Sequence, residues 1–286
     1  MEFIAIIIVL TSAFIHATWN IVSKVSKGGS VFVWLYMGMS LVFYSPFVLY
    51  LMISKQMIIT KEQALLIIVT SLIHTLYAVM LQKGYLVGDL SVIYPIARGT
   101  APILVAIVAF FVFNEALNIQ LIFGIIFVGI SILILTGGWR SLTNRESTIG
   151  VLYGLLVGTC IASYTLIDKG AMSILNMHPL IYYYGCLLGQ FIILTPTTLI
   201  KSKTIIREWK VNKFNSIIVG VLNPLSYMMV LFVMNYLPVS QIAPIRELSI
   251  VIGVILGAIF LKESMGNKRI IASVVMVLGV ILIATM

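Results

Sequence analysis

Ten apolar runs follow one another along the chain, each close to the length that crosses a bilayer. A spanning helix needs about 20 mostly apolar residues. The runs cover residues 3–25, 30–54, 63–84, 89–113, 118–138, 148–168, 178–200, 214–236, 239–261 and 267–285. The breaks are short and carry the charge: Lys27 to Ser30, Lys55 to Glu62, Trp139 to Ser147, Lys201 to Lys213, and Lys262 to Arg269. Strands are disfavoured, because barrel strands alternate in polarity over segments of about ten residues and these runs are longer and continuously apolar. The pattern predicts an all-α polytopic membrane protein of ten transmembrane helices. Lys201 to Lys213 reads as the one extended stretch outside the membrane, too short to be a domain.

The two halves repeat one another. Ile15 to Lys24 (IHATWNIVSK) parallels Cys160 to Lys169 (CIASYTLIDK), Ile67-Ile68-Val69 parallels Ile217-Ile218-Val219, and Tyr77 parallels Tyr227. Pro46 pairs with Pro196, Ser91 and Pro95 with Ser240 and Pro244, and Glu115 with Glu263, in one order and at a spacing of 145 to 150 residues. An odd number of spans per repeat makes the second copy enter the membrane from the opposite side. The expectation is two inverted five-helix repeats, residues 1–138 and 149–286, with a site near the midplane between them.

Composition makes the membrane placement hard to avoid. Of 286 residues, 61% are hydrophobic and 9% are charged, against roughly 25% charged in a soluble domain. So few charges cannot build a water-facing surface. Cys160 and Cys186 fall inside apolar runs, where thiols serve as small packing residues, and their spacing suggests no metal site. Met1-Glu2 leads straight into an apolar run, which reads as a retained first helix rather than a signal peptide. The net charge of +9 reads as loop Lys and Arg on one side of the membrane rather than as nucleic-acid binding. Loops after the odd-numbered spans, with flanking helix ends, hold 13 Lys and Arg, and the other side holds Lys55, Lys61 and Lys169. The positive-inside rule then puts the basic loops in the cytoplasm and both termini outside.

Ionisable residues at membrane depth cost roughly 2.5–3.5 kcal/mol each on insertion scales, so they mark the bundle interior. His16, Trp19, Asn20 and Lys24 fall at i, i+3, i+4 and i+8 on one helical face; they either line a site or make packing hydrogen bonds, with Lys24 snorkelling. Tyr164 and Asp168 lie one turn apart at the equivalent depth of the second copy, and Asp168 is either a solvated boundary carboxylate or a site residue. His74 with Tyr77, and Asn223 with Tyr227, share helix faces and suggest a common cavity. Tyr94 and Arg98 lie one turn apart in the fourth run, and Arg246 and Glu247 follow Pro244 in the ninth. Both Arg residues sit too deep to snorkel. Two guanidiniums against one deep carboxylate suit an anionic or zwitterionic ligand; the alternative is a structural Arg98–Glu247 bridge between the repeats. Pro46, Pro95, Pro102, Pro196, Pro224 and Pro244 each remove a helical donor. The Gly stripes at 150/154/158, 185/189 and 253/257 read as close helix packing. Glu115 and Glu263, at turns, read as helix caps.

At these residues the chain resembles EamA-type members of the drug/metabolite transporter superfamily. The resemblance rests on His16-Ala17-Thr18-Trp19-Asn20 with Lys24, on Tyr94-Pro95, and on Glu115 followed by Gln120, Gly124 and Gly129. The second copy keeps Pro244, Glu263 and Gly279. It implies ten helices, secondary transport and a central cavity lined by helices such as the first, third, fourth, sixth, eighth and ninth. It also implies cytoplasmic termini, the reverse of the charge count. Ile161, Thr165 and Arg246-Glu247 replace His16, Asn20 and Arg98, so the cavity is expected to be asymmetric.

The functional expectation is a secondary transporter, an exporter or exchanger of a small anionic or zwitterionic metabolite working by alternating access. Alternatives are a multidrug exporter of cationic compounds and a non-transporting membrane partner subunit. The expected substrate-binding residues are His16, Trp19, Asn20, His74, Tyr77, Tyr94, Arg98, Tyr164, Tyr227, Arg246 and Glu247. No metal, cofactor or catalytic residue is expected: the sequence has no His-Glu-x-x-His, Gly-x-Ser-x-Gly or phosphate-binding Gly-x4-Gly-Lys pattern. The expected partners are the small-molecule substrate and the lipid bilayer, with a coupling proton or counter-substrate in addition and no nucleic acid. The expected location is a bacterial cytoplasmic membrane.

Overall fold

A computed structural model describes residues 2–26, 29–55, 58–87, 90–135, 145–200, 202–261 and 267–285. All regular structure among them is helical: α1 (Glu2–Ser26), α2 (Gly29–Ser54), α3 (Lys61–Val87), α4 (Leu90–Val112), α5 (Ile119–Leu135), α6 (Arg145–Ser173), α7 (Pro179–Leu199), α8 (Ser202–Val233), α9 (Val239–Arg246), α10 (Leu248–Leu261) and α11 (Asn267–Ala284). Among the described residues, seven stretches are long and apolar enough to cross a membrane. Ile96–Val112, Ile119–Ile134 and Ile270–Ala284 are shorter apolar helices. Large apolar side chains such as Phe3, Phe43, Phe111, Ile192 and Phe260 point outward, an exterior suited to lipid.

Three elements differ from the sequence expectation. The break at Lys201 to Lys213 is largely helical: α8 starts at Ser202 and runs on into the eighth apolar run, interrupted at Asn212, whose φ of −117° and ψ of 19° leave the helical region. Charged side chains had disguised that helix as a loop. The sixth helix continues to Ser173, so Lys169 is not a loop residue. It is buried, and its ammonium donates to the Met234 and Leu237 carbonyls at 2.6 and 3.2 Å. The ninth run is split at one residue, Glu247, into α9 and α10. Pro244 cannot donate, and the amide of Glu247 turns to the Pro244 carbonyl three residues back at 3.0 Å, a tighter turn than the α-helix makes.

The main helix pairings run between the first and second halves of the chain. α1 packs on α8, and α3 on α6; α4 packs on α6, and α1 on α9 and α10; α2 packs on α8, and α3 on α7. α2 also packs on α7, and α5 on α11. Small residues permit the close crossings. A Cβ on Gly124 would come within 2.9 Å of the Gly279 carbonyl oxygen, and one on Gly279 within 2.9 Å of the Gly124 oxygen. The missing donor of Pro224 orphans the Gly220 carbonyl, which the Ser40 hydroxyl satisfies at 2.8 Å from α2; the neighbouring Val221 carbonyl takes the Tyr44 hydroxyl at 2.8 Å. Freed backbone groups at membrane depth require such partners.

Candidate functional site

A cavity of about 350 Å³ lies among α1, α2, α3, α4, α6, α7, α8 and α9. Eight of the expected residues line it: His16, Trp19, His74, Tyr77, Arg98, Tyr164, Tyr227 and Arg246. Two do not stand there. Asn20 turns outward, its amide donating to the His16 carbonyl at 2.7 Å one turn back, because an exposed side chain on an apolar helix finds the nearest backbone acceptor. Glu247 lies behind the wall, 5% exposed and ion-paired. The side chain of Tyr94 lies outside the described residues, as do that of Lys24 and all of Glu263.

Two electrostatic arrangements frame the cavity. In the first, Arg98 of α4 donates from Nη1 to both Glu247 carboxylate oxygens, at 3.2 and 3.3 Å. This is the interhelical bridge the sequence had offered as an alternative, and it neutralises one of the two guanidiniums. Arg246 is differently placed. Its guanidinium carbon stands 5.0 Å from the centre of the Tyr227 ring, a cation–π distance, and it forms no ion pair among the described residues. Adjacent side chains on a helical backbone diverge by about 100°, and here Glu247 serves the bridge while Arg246 serves the cavity.

The second arrangement centres on Asp168, which is fully buried rather than a solvated boundary residue. A carboxylate there needs donors, and three hydroxyls supply them. Thr70 of α3 donates at 2.9 Å and Tyr182 of α7 at 2.6 Å to one oxygen, and Tyr227 of α8 donates to the other. His74 Nε2 stands 3.8 Å from that second oxygen without a hydrogen bond. The His74 ring stacks on Tyr164 at 3.9 Å between centroids, and Tyr183 leans on Tyr227 at 4.8 Å. Tyr227 thus touches both arrangements: its hydroxyl binds Asp168 and its ring carries Arg246.

Asn223, which shares a face of α8 with Tyr227, lines the wall as the sequence suggests; Thr70 and Tyr182, which serve the carboxylate, and the wall residues Tyr183 and Gln190 are not among the sequence candidates. One signal was available: Thr70 precedes His74 by one helical turn, as Tyr164 precedes Asp168. Tyr182 and Tyr183 sit in a run of three tyrosines that hides which face is inward.

The cavity extends toward the basic-loop end. Ser30 and Val33 at the start of α2, Val79 and Leu81 late in α3, and Leu194 late in α7 belong to its wall. The other end is tied together by side chains. Lys169 holds the α8–α9 turn, and Glu115 accepts from the Val239 and Ser240 amides at 2.7 and 2.9 Å. Glu115 is therefore a helix cap, as expected of it, but for α9 of the other half; α5 is capped by Asn118, whose side chain accepts from Leu121 at 2.8 Å. The left-handed Asn114, with φ of 54°, turns the chain at the end of α4 to bring Glu115 there. Glu115→Ala is expected to lower stability by about 1–2 kcal/mol, as loss of a strong N-cap does. The reading is a thermal unfolding midpoint in detergent, with Asn118→Ala compared as an ordinary local cap.

Fold and cavity together define a polytopic helical membrane protein built around a central polar chamber. Residues 148–285, just under half of the chain, match the model of the EamA-like transporter family. That match and the long apolar helices both support an integral, multi-pass membrane protein. A solved crystal structure superposes on 97% of this chain and 95% of its own, with a TM-score of 0.77 at 12% identity, a likeness of fold alone. No curated protein matches the sequence.

Proposed function

We propose that the chain is a secondary transporter of a small anionic or zwitterionic metabolite, an exporter or exchanger in a bacterial cytoplasmic membrane. Two oppositely inserted five-helix repeats, residues 1–138 and 149–286, cross the membrane ten times and rock against each other around the cavity. The helix pairings between the halves support the inverted arrangement. The cavity's extension toward the basic loops, with the far end tied by Glu115 and Lys169, supports an inward-open state on the positive-inside rule.

The observation that carries the substrate class is Arg246, a cavity-wall cation resting on Tyr227 while the other guanidinium is neutralised by Glu247. A low-dielectric wall strengthens its attraction for an anion. Trp19, Tyr77 and Tyr164 give apolar and hydrogen-bonding surfaces beside it, and His16 and His74 are the groups best placed to exchange a coupling proton with cavity water.

The test is a thermal-shift series on the purified full chain with amino acids, organic acids, phosphorylated and phosphonate compounds and cationic drugs. A specific ligand stabilises the folded state by about 2.7 kcal/mol at a hundred times its Kd. Carboxylates or phosphonates are expected to raise the midpoint, and the stabilising compounds should then exchange across proteoliposomes. Stabilisation by cationic drugs alone would turn the reading toward multidrug export.

A further inference from the structure

The first ten residues of α8 are surplus to a membrane crossing. Residues 213–233 rise about 31 Å as a helix, enough by themselves for a hydrocarbon core of about 30 Å. The preceding stretch contains Lys203, Arg207, Glu208 and Lys210, too many charges for that core. Asn212 breaks the helix between the two parts. Its side-chain amide donates to the Ser26 carbonyl at the end of α1 at 2.9 Å and to Glu208 at 2.6 Å, which fixes the segment against the basic-loop end of the bundle.

The segment has two unlike faces. Glu208 and Asn212 are buried against the bundle, so the one acidic side chain of the segment is turned inward and partnered. Lys203, Arg207 and Lys210, at i, i+4 and i+7, share an outer face and are all exposed, and Lys213 follows, exposed, with its ammonium 5.0 Å from the Phe214 ring centre. Apolar side chains flank these cations: Ile206 is 62% exposed, Val211 73% and Trp209 38%. Cations between exposed apolar residues and a tryptophan match the headgroup layer, where long basic side chains snorkel and indoles sit at the polar boundary.

We propose that residues 203–213 form a docking surface for anionic phospholipid headgroups of the leaflet on the basic-loop side. The phosphate esters meet Lys203, Arg207 and Lys210 while Ile206 and Val211 enter the acyl boundary. Charge complementarity and continuity with the bilayer around the spanning part of α8 select a lipid as occupant. The surface lies away from the cavity residues, so it stands whatever solute the chamber accepts.

The experiment uses the purified full chain in a non-ionic detergent and adds either phosphatidylglycerol or phosphatidylcholine with matched acyl chains. Phosphatidylglycerol is expected to raise the unfolding midpoint by several degrees more than phosphatidylcholine. The excess should shrink in about 0.5 M salt, which shortens the screening length. It should be absent in Lys203→Gln/Arg207→Gln/Lys210→Gln and kept in Lys55→Gln/Lys61→Gln, whose cations lie at the opposite end. An equal gain from both lipids overturns the proposal, as does a gain kept by the triple variant or reproduced by inorganic phosphate alone. Should the triple variant fail to fold, Arg207→Gln carries the test by native mass spectrometry: fewer bound phosphatidylglycerol molecules than wild type supports the surface, and an unchanged number overturns it.

Discussion

Arg246→Ala is expected to abolish the thermal stabilisation that anionic solutes confer and to cut transport about a hundredfold. Removing one partner of a desolvated charge pair costs about 2–5 kcal/mol of binding, and about 2.7 kcal/mol is a factor of 100. Arg246 leaves no carboxylate stranded among the described residues, so the unliganded variant should unfold close to the wild-type temperature. Arg98→Ala should do the opposite. It leaves Glu247, 5% exposed, as an uncompensated buried charge, at about 3–5 kcal/mol of stability. Arg246→Lys keeps the charge but loses the guanidinium's contact with the Tyr227 ring, and should recover part of the binding. Unliganded unfolding and ligand-induced shift measured side by side separate the two arginines. An Arg246→Ala protein that still gains full stability from the same anions would remove the basis for an anionic substrate.

The second large effect falls on Asp168→Ala. Thr70, Tyr182 and Tyr227 all donate to this carboxylate from three different helices. Its loss leaves three buried hydroxyls without their acceptor, at about 1–3 kcal/mol for each one that finds no other. Relaxation recovers part of this, so the expected destabilisation is about 3–5 kcal/mol, read from equilibrium unfolding in mixed detergent. Asp168→Asn keeps acceptor oxygen at one position and should cost less. Either variant also slackens Tyr227 and with it the perch of Arg246, so the remaining folded protein should bind anions more weakly. A loss below about 1 kcal/mol for the alanine variant would mean that the hydroxyls are served elsewhere.

The parts of this architecture legible in the sequence are those that hydropathy decides. The apolar helices fall within a few residues of the apolar runs because lipid exposure requires continuous apolar length. The eighth helix departs because charge content reports where a segment lies, and Ser202 to Val211 is a helix outside the hydrocarbon. Asp168 and Lys169 looked like boundary residues because the apolar run fades there. In space α3, α7 and the α8–α9 turn close around them, and no local window contains Thr70, Tyr182 or Met234. The eight cavity-wall residues were visible for the converse reason: a deep polar or aromatic side chain at helical spacing has few places to go except inward. The choice between a bridged and an unbridged arginine was not legible, since it depends on which of them faces Glu247 across the interface of α4 with α9, a contact 149 residues apart in the chain. The orientation count also changes once Lys169 is removed from the loops, which leaves Lys55 and Lys61 on the less basic side and sharpens the asymmetry.

The carboxylate of Glu115 that receives the Val239 and Ser240 amides belongs to a part of the polypeptide made more than a hundred residues earlier. During synthesis that acceptor is already embedded when the late helix leaves the ribosome, and the newcomer starts on a prepared seat. The reverse order has no such seat. A gene cut between the halves would therefore need the leading fragment present while the trailing one inserts.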